Sequence, residues 1–119
     1  MSLQYKKTAV IGGGAWGTAL ALTASYSGDE VVLWTYREEE AAIIRETRHS
    51  LCRIKGARPL PSNVLVTSSW DDVAGADLVI VVVPSVAMRS VAQSLANVGL
   101  AENAVVVSCT KGIEKDTNL

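Results

Sequence analysis

Val10-Ile11-Gly12-Gly13-Gly14-Ala15-Trp16-Gly17-Thr18-Ala19-Leu20-Ala21 is the stretch whose reading decides the fold. Glycines at 12, 14 and 17 follow a short apolar run and open a helical pattern. The sequence context strengthens what is otherwise a weak motif. Gly12 allows a tight turn, Gly14 lets the backbone approach a pyrophosphate, and Gly17 lets the new helix lie close to the strand. The unpaired N–H groups at the start of that helix, with the positive end of its dipole, suit phosphate groups. The reading is dinucleotide binding. Its competitor is a glycine-rich turn in another α/β protein, such as a methyltransferase.

Outward from this turn, strands alternate with helices. A first strand over Thr8–Ile11 precedes the glycines, and a helix over Ala15–Ser27 follows, with Gly28 as its expected end. A second strand covers Glu30–Thr35. A helix starts near Glu38, with three glutamates where the dipole favours them; Ala41 and Ile44 face inward, with Ile43 as a third candidate. Residues 49–63 lack a clean period and hold Pro59 and Pro61, which predicts a long loop. A third strand covers Val64–Thr67, and Ser69 can cap a short turn over Trp70–Val73. Leu78-Val79-Ile80-Val81-Val82-Val83 is unbroken and apolar, as for a strand covered on both faces. Pro84 stops it, and Ser85 can cap a helix over Val86–Val98. A last strand covers Ala104–Ser108. This βαβαβ pattern predicts an α/β fold of Rossmann type. Its doubly wound parallel sheet would have strand order 3-2-1-4-5.

The 119 residues suffice for a single domain, 1–119. With 49% apolar residues the chain can build a core, and a formal charge of −1 gives no sign of a nucleic-acid or membrane partner. Arg45, Arg48, Arg53, Lys55 and Arg58 concentrate in one stretch, read as a solvated surface loop. Cys52 and Cys109 are far apart, without metal-ligand spacing, and read as reduced thiols of a cytoplasmic protein. No apolar run reaches bilayer length and no signal peptide is visible.

In the expected strand order, ligands bind where the carboxyl ends of the first and fourth strands diverge. Gly12–Gly17, Pro84-Ser85 and Thr110-Lys111 all fall at strand ends facing that crevice. At the end of the second strand, counting about 20 residues beyond Gly17 reaches Arg37, where NAD-specific sites carry an acid. An arginine there can grip a 2′-phosphate, and Tyr36 beside it can stack on adenine. NADP is therefore expected in preference to NAD, with NAD still possible. Glu38 is the acid that a small register shift would bring there instead. Trp16 is read as a wall beside the pyrophosphate or the nicotinamide ribose, and otherwise as a packing residue. Lys111 is a cation suited to a phosphorylated or carboxylated substrate, and otherwise an exposed loop lysine. Arg89 points to solvent or an interface. His49 lies away from the crevice, Asp71, Asp72 and Asp77 read as caps and turn residues, and no metal cluster is expected.

Several segments together resemble the bacterial type of NAD(P)-dependent glycerol-3-phosphate dehydrogenase. They are Gly12 to Ala21, Val32-Leu33-Trp34-Thr35-Tyr36-Arg37, Leu60-Pro61-Ser62-Asn63-Val64, Val83-Pro84-Ser85 with Arg89, and Thr110-Lys111-Gly112-Ile113-Glu114. The resemblance implies hydride transfer between glycerol 3-phosphate and dihydroxyacetone phosphate in the cytoplasm, feeding phospholipid synthesis. It implies cofactor contacts from Ala15, Trp16, Tyr36 and Arg37, and contact with both cofactor and substrate from Lys111. It also implies a helical second domain, carrying the general acid/base lysine, beyond Leu119; no catalytic residue is expected within the chain. A homodimer is compatible with the resemblance. The segment Thr47 to Gly56 departs from the family's usual Asn- and Tyr-Leu-Pro-containing pattern. The alternatives are another two-domain dehydrogenase, acting on a keto acid or opine, and a nucleotide-sensing module without enzymatic activity.

Overall fold

The computed structural model describes residues 6–26, 30–49, 58–83 and 85–108, except for the side chains of Ala15 and Ser85. Five strands, β1 (Lys7–Ile11), β2 (Glu30–Trp34), β3 (Val64–Thr67), β4 (Leu78–Val81) and β5 (Val105–Ser108), form one sheet in the order β3-β2-β1-β4-β5. Every pairing is parallel. The doubly wound order is the one the strand and helix pattern predicts.

Helices α1 (Ala15–Ser25) and α2 (Glu38–Thr47) cover one face, and α3 (Met88–Val98) the other. The alternation of side chains along each strand divides the core into two layers. Val10, Val31, Leu33, Val64 and Val66 meet Ala21 of α1 and Ala41 and Ile44 of α2. Ala9, Ile11, Val32, Trp34, Val79 and Val81 meet Val91 and Leu95 of α3, and Val73 in the 3-10 turn Trp70–Val73. At about 25 cal/mol per Å² of apolar area removed from water, these layers are the main favourable term in folding.

Several local expectations change. Ile43 is 46% exposed, because Ala41 and Ile44 already fill the stripe of α2 that faces the sheet. β4 leaves the ladder at Val81, and only its α3 face is sealed, with Leu78 and Ile80 half-buried. Ser85 does not start a long helix. A 3-10 turn, Ser85–Ala87, comes first, and Ala87 stands at the N-cap of α3 without a side-chain cap. The cap at Ser69 is present: its hydroxyl accepts from the Asp71 N–H at 3.3 Å. Gly28 lies outside the described residues, and Tyr26 occupies the C-cap of α1.

The basic stretch is only partly solvated. Arg48 ends α2 in the left-handed region, with φ of 61°. Its guanidinium donates to the carbonyls of Leu60, Pro61 and Val64, fastening the segment that enters β3. Arg45 donates to the Val66 carbonyl and pairs with Glu38 at 3.2 Å. These planar forks satisfy carbonyls at the end of a buried sheet, so their role is structural. Arg58 is exposed, and Arg53 and Lys55 lie outside the described residues.

At the amino ends of the inner strands, Asp77 ties the entry of β1 to that of β4. The backbone N–H groups of Lys6 and Lys7 each donate to its carboxylate at 2.8 Å. Burial pushes this carboxyl up, but the donors from Lys7 and Lys6, its own amide and the Lys6 charge outweigh it, and its pKa falls below the ordinary 3.8. A depressed carboxyl adds stability that is complete above its ordinary pKa and is lost as pH falls through the lower folded value. Asp77→Asn is expected to lower unfolding free energy by about 1 kcal/mol near neutral pH. Urea titrations should show this deficit shrinking as the buffer is acidified below the ordinary value; a deficit constant with pH would contradict it.

The glycine turn depends on contacts that only hydrogen can make. Gly12 has φ of +133°, and a Cβ there would strike the Val82 carbonyl. A Cβ on Gly17 would strike the carbonyl of Gly12, whereas one on Gly14 would meet nothing within 4 Å. Gly17→Ala is expected to cost more than about 3 kcal/mol, because rigid backbone must move. Gly14→Ala should stay within about 1 kcal/mol of the parent. Thermal unfolding of the two variants checks the contrast, and equal losses would refute it.

Candidate functional site

The carboxyl ends of four strands meet at one edge. Beyond the last paired residues the backbone stays coupled. The N–H groups of Gly12, Val82 and Thr35 donate to Trp34, Ile11 and Thr67 at 2.7, 2.8 and 2.9 Å. Gly14 caps α1 in an extended conformation, and the Thr18 hydroxyl, one turn later, donates back to its carbonyl at 2.8 Å. That closes the first turn of α1 and leaves its early N–H groups as the free donors of a helix start.

A cavity of about 380 Å³ opens at this edge. Gly12, Gly13 and Gly14 form one wall, Trp34, Tyr36 and Trp70 a second, and Ala87, Ser90, Val91 and Ser94 a third. Val82 and Val83 line it because they have left the β4 ladder; Thr35 and Glu40 complete the lining. The Trp34 and Trp70 rings stack with centroids 4.2 Å apart at 28°, and Tyr36 meets Trp34 edge-on at 6.4 Å. Trp34 is 4% exposed, and its Nε1 is buried with no hydrogen-bond partner among the described residues. An unmade bond of this kind costs about 1–3 kcal/mol and is concentrated at working sites.

Among the residues expected at the site, Gly12, Gly14 and Tyr36 line the cavity. Gly17 shapes it from behind by admitting α1 against the Gly12 carbonyl. Trp16 is 55% exposed on the first turn of α1 and is not in the lining. Arg37 is the N-cap of α2, exposed and outside the lining; its carbonyl accepts from the Ala41 N–H at 3.0 Å, and its guanidinium makes no hydrogen bond or ion pair to any described residue. Ala15 opens α1, but its side chain lies outside the described residues, as do Pro84 and Lys111 entirely.

Motif reading missed Trp34, Trp70, Glu40 and the α3 residues. One signal was available: all three tryptophans stand just at or after a strand end on this edge. No such signal marks Glu40. It enters because it shares a helix face with Ile44, four residues on, which is fixed against the sheet.

The lining fits an adenine dinucleotide. A turn whose Cβ space is filled by backbone suits a pyrophosphate, and flat aromatic and valine walls suit a base. No group of three His, Cys, Asp or Glu side chains able to hold a metal occurs among the described residues. No described helix is long and apolar enough to cross a membrane.

Comparison with known proteins agrees with this geometry. Residues 7–119 match the family described as NAD-dependent glycerol-3-phosphate dehydrogenase N-terminus. The chain is 41% identical over 119 residues to a glycerol-3-phosphate dehydrogenase (NAD(P)+) of Parvibaculum lavamentivorans, covering 100% of this chain and 35% of that protein. It is 42% identical over 114 residues to its counterpart in Rhodopseudomonas palustris strain HaA2, covering 96% and 34%. The chain thus spans about a third of the length of the curated relatives it matches. Among solved structures, glycerol-3-phosphate dehydrogenase of Coxiella burnetii superposes with a TM-score of 0.80 at 25% identity, covering 92% of this chain and 34% of that one. A ketopantoate reductase family protein of Ralstonia eutropha JMP134 follows at 0.71 and 30%, covering 89% and 34%. With a glycine turn, a parallel sheet and a family match that runs through residue 119, the chain belongs to the family of N-terminal, NAD-binding domains of glycerol-3-phosphate dehydrogenase.

Proposed function

We propose that this chain is the cofactor-binding half of an enzyme that interconverts sn-glycerol 3-phosphate and dihydroxyacetone phosphate in the cytoplasm, using NADP in preference to NAD. The observation that carries the reading is the cavity bounded by Gly12–Gly14 and the Trp34–Trp70 stack, within a chain that matches the family over residues 7–119. The ketopantoate reductase likeness supports the same cofactor architecture, but the family match favours the phosphorylated substrate. A homodimer is compatible with this reading, and no nucleic-acid or membrane partner is assigned.

In this reading the glycine turn and the start of α1 hold the pyrophosphate, and the aromatic wall holds the adenine. The nicotinamide, when bound, exchanges the hydride. Lys111 is assigned to cofactor and substrate, Ala15, Trp16 and Pro84 to the cofactor. Moving the hydroxyl proton needs a positioned acid or base, and that role is assigned to a lysine beyond Leu119. The NADP preference rests on Arg37. It is a permanent cation beside Tyr36, and a bidentate guanidinium suits a 2′-phosphate.

Calorimetric titration tests the cofactor preference. NADPH is expected to bind more tightly than NADH, and Arg37→Ala to weaken NADPH about tenfold while changing NADH by less than about twofold. Tighter NADH binding by the parent, or equal losses for both, would overturn it. The isolated chain should show no measurable oxidation of NADPH with dihydroxyacetone phosphate; ready turnover would contradict the assignment of proton transfer beyond Leu119.

A further inference from the structure

Glu40 stands apart from the other acidic residues at the start of α2. Glu38 and Glu39 are exposed, whereas Glu40 is half-buried and lines the cavity with Gly12–Gly14 and Tyr36. As the third residue of α2 after the Arg37 cap, it could reach back to the cap's N–H in the usual box arrangement. It accepts instead from the Thr35 hydroxyl, through Oε2 at 2.9 Å. Thr35 itself is 2% exposed, with its N–H bonded to the Thr67 carbonyl at 2.9 Å. Its side chain lies directly behind Gly13, where a Cβ would collide with its Oγ1. A buried residue pinned to the sheet therefore holds the Glu40 carboxylate at the cavity wall beside the glycine turn. One oxygen is committed to Thr35, and Oε1 has no bond to any described residue.

We infer that Glu40 is a specificity-determining residue that accepts a ribose hydroxyl of the adenosine half and opposes a phosphate in its place. The inference rests on the nucleotide reading of the cavity and deepens it. A carboxylate accepts hydroxyl protons, and can do so bidentately, but it repels a phosphate dianion. At the ends of second strands in dinucleotide-binding sheets, an acid on the ribose 2′-hydroxyl selects NAD. Here the strand end carries Thr35-Tyr36-Arg37 instead. The carboxylate is displaced three residues along the chain from the Arg37 position and returned to the cavity by the first turn of α2. The site thus carries opposed selectors. Arg37, exposed and outside the lining, can swing toward a 2′-phosphate, and Glu40, anchored through Thr35, favours the free hydroxyl. Their opposition keeps NAD usable in a site that Arg37 biases toward NADP.

The test is a set of binding constants for NAD+ and NADP+, which differ only in the 2′-phosphate, measured by calorimetry on the parent chain, Glu40→Gln and Thr35→Val. Glu40→Gln is expected to weaken NAD+ about tenfold and to tighten NADP+ severalfold. The gain for NADP+ should shrink as salt is raised, because it is a charge effect. Thr35→Val, which frees the carboxylate without removing it, should move both constants in the same directions by smaller factors. Equal changes for both nucleotides in Glu40→Gln, or no change in either, would overturn the role of Glu40 while leaving the cavity a nucleotide site. Failure of the folded parent to bind either nucleotide would overturn both readings.

Discussion

Backbone against backbone is the contact on which this molecule's working edge depends. At Gly17 the first helix lies against the carbonyl of Gly12, and at Gly12 the turn passes the carbonyl of Val82, with no side chain between them. Both approaches are open only to a residue without a Cβ. They place the start of α1 over the gap where β1 and β4 part company, and they fix the path by which Val82 and Val83 leave the sheet to line the cavity. A methyl at either position would push the helix start away from the sheet edge and widen the turn that we propose holds the phosphates.

Around that fixed turn the chain builds walls of different character. The Trp34–Trp70 stack is apolar, with Trp34 buried and Trp70 half-buried, and the Trp34 indole N–H has no partner among the described residues. The Thr35–Glu40 pair is polar and anchored, and Arg37 is an exposed cation at the helix cap whose guanidinium bonds to no described residue. Such a division suits a ligand with a flat base, a ribose and a charged bridge. The opposite end of the sheet is tied by Asp77, whose carboxylate gathers two backbone donors where β1 begins. Stability and binding are therefore concentrated at opposite ends of the same strands.

Most of the fold was legible because its signals are local and strong. Glycine spacing, apolar strand runs and a serine cap at residue 69 each specify structure within a few residues. The cavity was legible only where a motif announced it, at Gly12, Gly14 and Tyr36. Trp34 and Trp70 are far apart in sequence and stack only because β2 and β3 are neighbours in the sheet. Glu40 was hidden by counting along the chain, since a helical turn brings a later residue back to the edge. The basic stretch misled for the same reason: composition reads Arg45 and Arg48 as solvated, while tertiary structure sets carbonyls within their reach. The helix expected at Ser85 was delayed by a 3-10 turn as the chain bends away from β4.

The central claim is that a dinucleotide lies across the glycine turn and against the tryptophan wall. Nuclear magnetic resonance of the ¹⁵N-labelled chain during NADPH addition tests it most directly. The account predicts that the largest shifts fall on the backbone amides of Gly12–Gly17 and on the indole N–H groups of Trp34 and Trp70, with the Asp77 end of the sheet unmoved. Saturable binding whose shifts leave the glycine turn and both indoles unchanged would contradict it.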